Sequence, residues 1–91
     1  MAQERIRILI EGNLNNINFR LSTQKQAEAL DIVGFVRTLS NGQVEIEAQG
    51  EQKSIDALLA WCQQDPHSNL IRSILFRYDE LVDRYNNFSV R

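Results

Sequence analysis

One cysteine, one proline and one histidine in 91 residues close off several chemistries at once. Cys62 has no second thiol for an internal disulfide and no cysteine or histidine at metal-ligand spacing, which excludes a disulfide scaffold, a zinc module and an iron–sulfur carrier. Long apolar runs are missing, so no segment reaches membrane-spanning length. The stretch Met1 to Arg7 is charged and has no apolar signal core, and with the lone cysteine this predicts a cytoplasmic protein in a reducing compartment, with no membrane partner. A basic excess is missing too. Ten Lys and Arg against twelve Asp and Glu give a net charge of −2 with no basic block, so the electrostatic footprint of a nucleic-acid binder is absent. A small anion needs only a local cluster of donors, and that class stays open.

What is present is ordinary for a globular chain: 43% hydrophobic and 24% charged residues. The length predicts a single domain over residues 1–91 that buries roughly 60–65% of its unfolded surface, folds without disulfide, metal or cofactor, and is stable as a monomer.

Residues 5–11 alternate, with Ile6, Ile8 and Ile10 on one face and Arg7 and Glu11 among the others, the period of a half-buried strand. Leu9 interrupts the polar face, which places this strand centrally in its sheet. A helix follows over about 22–31, where Thr23 and Gln26 have the spacing of a capping box and Ala27 and Leu30 share a face. A second strand runs from Ile32 to Leu39, entered through Gly34. Asn41-Gly42 signals a two-residue hairpin turn with both residues at positive φ, leading into a third strand over Gln43 to Gln49. From about Ser54 to Gln63, Ile55, Leu58, Leu59 and Cys62 form a helical stripe, on which Cys62 reads as core filler. Asp65-Pro66 ends that helix, and His67 in the loop beyond reads as a surface residue. Residues 70–78 supply a fourth strand, with Leu70, Ile74, Phe76 and Tyr78 in one alternating set. The charged connection Asp79 to Arg84 leads to a short edge strand at Phe88–Arg91.

The order β-α-β-β-α-β predicts an α+β, ferredoxin-like sandwich: a mixed, mostly antiparallel sheet with two helices on one face and a short fifth strand at the edge. Right-handed crossovers make the first two strands parallel, with the third between them. Loop 12–20, the end of the second strand near Thr38 and the turn 40–42 then share one rim of the sheet. Any chemistry is expected there. Loop 12–20 feeds a helix N-terminus, whose unpaired amides and positive dipole end suit an anion, and Arg20 adds a fork of donors. RNA recognition on this topology would need stacking aromatics on the middle strands, where this chain has isoleucine, arginine and glutamate.

Two motifs on that rim resemble the acylphosphatase family. Its first motif, G-x-V-Q-G-V-x-F-R, is matched in frame by Gly12 to Arg20, G-N-L-N-N-I-N-F-R. Its second, G-(aromatic)-V-(basic)-N-x-x-x-G-x-V with a later glycine, is matched by Gly34-Phe35-Val36-Arg37-Thr38, then Gly42, Val44 and Gly50. Residues 87–91 are similar to the family's last strand.

The resemblance implies a hydrolase of acyl phosphates that uses no metal or cofactor. By carry-over, the substrate-binding cradle is Asn15, Asn16, Ile17, Asn18, Phe19 and Arg20, with the loop backbone holding the phosphoryl oxygens and Arg20 clamping them. Asn15 replaces the family glutamine, Asn16 the family glycine, and Asn18 a variable position often held by glycine or another small residue. Asparagine tolerates left-handed φ best among non-glycine residues, at a cost of about 1 kcal/mol, so the loop shape is expected to survive. Thr38 stands where the family has the asparagine that orients the attacking water. It is the second catalytic position carried over, with one hydroxyl on a short β-branched arm in place of an amide. Two functions follow: a hydrolase of reduced power acting on a small acyl phosphate and binding inorganic phosphate, or a non-catalytic anion-binding or partner module on the same scaffold.

Overall fold

In the computed structural model, which describes residues 2–14, 18–64 and 66–91, the elements run β1 (Gln3–Gly12), α1 (Phe19–Ala29), β2 (Val33–Thr38), β3 (Val44–Glu51), α2 (Gln52–Cys62), β4 (Ile71–Asp79) and β5 (Phe88–Val90), with a short 3₁₀ turn at His67–Asn69. The alternation in β1 turns Ile6, Ile8 and Ile10 to one face, and all three are wholly buried. Each contributes about 2–3 kcal/mol of burial, which pins the strand's facing. β1 pairs antiparallel with both β3 and β4, and β3 pairs antiparallel with β2. The sheet order is β4-β1-β3-β2-β5, so β1 and β2 run the same way with β3 between them, and β5 adds to β2 in parallel.

The two helices cover one face. There Phe19 and Ala27 of α1 and Ile55, Leu58 and Cys62 of α2 pack on Ile6, Ile8, Ile10, Val36, Ile46 and Ala48. The architecture is the ferredoxin-like α+β sandwich. β3 runs on through Gly50 to Glu51, past its expected end at Gln49, because β1 supplies Glu4 and Gln3 as partners. Gly34 enters β2 at φ 138°, where an added Cβ would sit 1.9 Å from the Glu47 carbonyl oxygen, so only glycine lets the two strands approach.

The other face is polar and is crossed by the chain. β4 and β5 lie at opposite edges, and the connection between them must traverse the sheet. It is tied down at each step: Arg5 Nε donates to the Glu80 carbonyl at 2.7 Å, and Gln49 exchanges two hydrogen bonds with the Val82 backbone, both 2.9 Å. Tyr85 then donates its hydroxyl to Glu47 at 2.6 Å and lays its ring edge-on against Phe35.

At the centre of this face Glu45 is 1% exposed and held from both sides. Arg7 donates to Oε2 through Nε at 2.8 Å and also through Nη2, while Arg37 donates to Oε1 at 2.6 Å. Burial pushes the Glu45 carboxyl up, but the hydrogen bonds and charges of the two arginines outweigh it and hold the group below its ordinary value. A carboxylate depressed in the folded state adds stability above the unfolded carboxylate range, and that contribution is lost as pH falls through the folded value. Glu45→Gln is therefore expected to lower the unfolding free energy by about 2–3 kcal/mol at neutral pH, the half-exposed arginines regaining water. In urea unfolding at successively lower pH the gap between variant and wild type should close; a gap independent of pH would contradict the assignment.

Candidate active site

The rim where β1 and β2 end is built around the start of α1. Phe19, 2% exposed, opens the helix, stacked on Trp61 of α2 at 5.6 Å and met edge-on by His67 at 5.2 Å. Burying Phe19 at that point starts α1 three residues before the expected Ser22. It also overturns the reading of Thr23 as part of a capping box. Thr23 lies a full turn inside the helix, wholly buried, and its hydroxyl donates to the Phe19 carbonyl at 2.8 Å.

Asn18 is the N-cap, in the left-handed region at φ 56° and ψ 42°, and its side chain makes no capping hydrogen bond. The asparagine tolerance for positive φ is thus used at the position where the resemblance has a small residue. The first intrahelical bond runs from the Ser22 amide to the Asn18 carbonyl at 3.1 Å. Helix geometry leaves the amides of Phe19, Arg20 and Leu21 without an intrahelical acceptor, and no acidic side chain occupies the first turn to compete for them. Asn15, Asn16 and Ile17, the other expected cradle residues, lie outside the described residues.

Arg20 follows in the first turn, exposed, with Nη1 donating to the Arg91 carbonyl at 3.3 Å. Arg91 is held there because its amide donates to the Val36 carbonyl at 2.9 Å, carrying the β5 pairing one residue further. Thr38 closes β2, also exposed. Leu14, Asn18, Phe19, Arg20, Thr38 and Val44 line one cleft of about 40 Å³, space for a few waters or one small oxyanion. Arg20 and Thr38, 18 positions apart in sequence, therefore share a site. Phe19 reaches it by its backbone, since its ring belongs to the core.

The hairpin beside the cleft differs from expectation. Leu39 N donates to Gln43 O at 2.7 Å and Gly42 N to Leu39 O at 2.9 Å, a three-residue loop in which Gly42 alone takes positive φ, at 89°. Asn41 stays at negative φ because its side chain is part of the turn: Oδ1 accepts from Gln43 N at 3.0 Å and Nδ2 donates to Gln43 Oε1 at 2.8 Å. Asn41 is thus committed locally and supplies no amide to the cleft in place of the one missing at Thr38.

His67 is also corrected. It is 8% exposed rather than on the surface, with Nδ1 3.1 Å from the Trp61 carbonyl oxygen and its ring 4.4 Å from the indole. Its neighbours come from both helices, so no local pattern in the sequence could have revealed the burial. Larger hollows exist, one of about 250 Å³ over Leu9 and Leu75 and one of about 510 Å³ beside Tyr78 and Leu81; the second lies at the start of α2, where Glu4, Asp56, Asp79 and Glu80 line it and oppose an anion. Among the described residues no group of three or more His, Cys, Asp or Glu side chains is placed to hold a metal ion, and no helix is long and apolar enough to cross a membrane.

The sequence model of the acylphosphatase family matches residues 6–90. The chain belongs to the acylphosphatase family. An acylphosphatase of Methylococcus capsulatus is 32% identical over 87 residues, 96% of this chain and 95% of that protein. One from a Synechococcus strain is 37% identical over 73 residues, 80% and 81% of the two chains. The solved structure of an acylphosphatase from Coxiella burnetii superposes with a TM-score of 0.85 at 32% identity, covering 98% of this chain and 93% of that one. Acylphosphatase membership thus spans the whole sandwich and includes both rim motifs.

Cys62 stands apart from the site. It is wholly buried on α2, and burial pushes its thiol up to about 12. The thiolate needed for nucleophilic attack is inaccessible at neutral pH. Cys62 is expected to resist iodoacetamide in the folded protein and to react once the chain is unfolded; modification of the folded protein at the unfolded rate would overturn that.

Proposed function

We propose that the protein is an acylphosphatase of reduced power, which binds a small acyl phosphate at the rim cleft and hydrolyses it to carboxylate and phosphate. The observation that carries this reading is the shared cleft of Arg20, Thr38 and the open first turn of α1 in a chain of this family. In it the amides of the first turn, together with the loop from Asn15 to Asn18, cradle the phosphoryl oxygens. Arg20 exchanges its single 3.3 Å contact with the Arg91 backbone oxygen for two of those oxygens, since a short bidentate fork on a phosphoryl group outcompetes one long contact. The dipole of α1 adds to the same field. A carboxylate is a good leaving group, so positioning and charge stabilisation supply most of the rate and no general acid is required.

Water placement is the weak step. Thr38 offers one short hydroxyl where the family motif has an amide, and a misplaced polar group of this kind costs a rate factor on the order of 10²–10³. Thr38 is also what favours a second reading, an anion-binding module that keeps the cradle and has lost hydrolysis.

Hydrolysis of benzoyl phosphate separates the two. Low turnover by the wild type and a gain of about 10²-fold in Thr38→Asn are expected. Turnover of a fully competent enzyme in the wild type would refute the impaired site, and none in either protein would favour the binding module. Titration of inorganic phosphate is expected to shift the backbone amides of residues 14–20, and Arg20→Ala to abolish the response. A flat titration of the wild type would remove the basis of both readings.

A further inference from the structure

The chain that crosses the polar face of the sheet is anchored on Arg5, Glu47 and Gln49 and leaves the part nearer the rim to other contacts. There Leu9 of β1 stands directly opposite Leu75 of β4, and Leu75 is 64% exposed. The next pair on the same face, one step further from the rim, is Arg7 opposite Arg77. Like charges set directly across an antiparallel pair repel, so this register carries a cost that an anion between them would remove.

Both guanidiniums have donors to spare. Arg7 turns Nε and Nη2 to Glu45, and Arg77 turns only Nε, to Asp79 at 3.3 Å. Arg7 Nη1 and both terminal nitrogens of Arg77 have no hydrogen-bond partner among the described residues. The ion pairs of this face join five arginines to only three carboxylates, Glu45, Glu47 and Asp79. That is a local surplus of two positive charges in a chain whose net charge is −2. Glu11, the next acid along this side of β1, is matched by Arg72 at 3.6 Å.

We propose that the hollow of about 250 Å³ lined by Arg7, Leu9, Leu75, Phe76 and Arg77 binds a small monocarboxylate with an apolar body. One carboxylate oxygen meets the free donor of Arg7 and the other the free donors of Arg77, which turns a repelling pair into a bridged one. The body lies on Leu9 and Leu75, which a bare inorganic ion would leave in water. Because Glu45 and Asp79 already hold one side of each guanidinium, a doubly charged group would be set against them, and a single carboxylate meets less repulsion. The volume is that of about eight waters at liquid density, which suits a ligand of about ten non-hydrogen atoms such as octanoate. Val44 of the rim cleft pairs with Ile10 and faces the helices, whereas Leu9 and Leu75 face the other way. The sheet itself separates the two sites, and the inference stands independently of the function proposed above.

Octanoate titrated into the full chain at constant ionic strength, and followed by backbone amide shifts, tests this. Saturating shifts are expected at residues 7–9 and 75–77, with half-saturation at or below about 1 mM. They should persist in Arg20→Ala, which separates this site from the rim. Arg77→Gln is expected to weaken binding by about tenfold, through loss of charged donors, and Leu75→Ser by about fivefold, through loss of apolar cover. Both side chains are exposed, so both variants are expected to keep the wild-type thermal unfolding curve. Acetate, the same charge without a body, and hexanol, a body without the charge, should each bind at least about tenfold more weakly. Shifts confined to residues 14–20, a response at 7–9 and 75–77 that never saturates, acetate binding as well as octanoate, or unchanged affinity in both variants would each overturn the proposal.

Discussion

Ile6, Ile8 and Ile10 of β1 are wholly buried in a strand that pairs on both sides, and the rest of the structure is arranged around that constraint. A slip of one residue in β1 would turn all three to the polar face and drive Arg5 and Arg7 into the helix-covered core, so the strand has a single facing. With β1 set, β3 and β4 must run antiparallel to it, and β2, paired to the far side of β3, must run parallel. That parallel relation brings the C-terminal ends of β1 and β2 to one rim. The cleft between Asn18, Arg20 and Thr38 is a consequence of sheet order before it is a consequence of any side chain.

The two faces of the sheet solve different problems. Under the helices the solution is close apolar packing. On the other face the chain has to pass from one edge strand to the other, and a row of arginine, glutamate, glutamine and tyrosine side chains anchors it as it crosses. Glu45 shows why this face needs paired charge: a carboxylate removed from water is tolerable only with donors on both oxygens, and Arg7 and Arg37 reach it from strands on either side. The pattern Glu45, Glu47, Gln49 along β3 is the sequence trace of that surface.

At the rim, packing and chemistry meet in Phe19. Its ring fills the space beside Trp61 and His67, and by doing so decides where α1 begins and which amides are left over. Asn18 then turns the chain with a positive φ that most residues would resist. In this chain the Phe-Arg that ends the first motif is thus a packing residue followed by an exposed arginine lining the rim cleft, placed one position apart so that the first fixes the second. Thr38 occupies its motif position without supplying the amide of that motif.

The alternation of β1 and β3, the apolar stripe of α2, the place of the hairpin at Asn41-Gly42 (though not its turn type) and the two rim motifs were legible in the order of residues, because each is a local pattern with a period or a fixed spacing. From these the sandwich, its strand order and the position of the rim follow. Tertiary packing decided the remainder. α1 begins at Phe19 instead of near Thr23 because aromatic rings from α2 and the turn beyond it claim Phe19. His67 is buried because those same rings, six and 48 positions away, close around it. Phe76 and Tyr78 stay half-exposed because α2 packs chiefly over β1 and β3 and leaves the outer part of β4 to water. Periodicity records which side of a strand is apolar, but whether anything lies against that side depends on elements distant in sequence, and only the assembled sheet determines it.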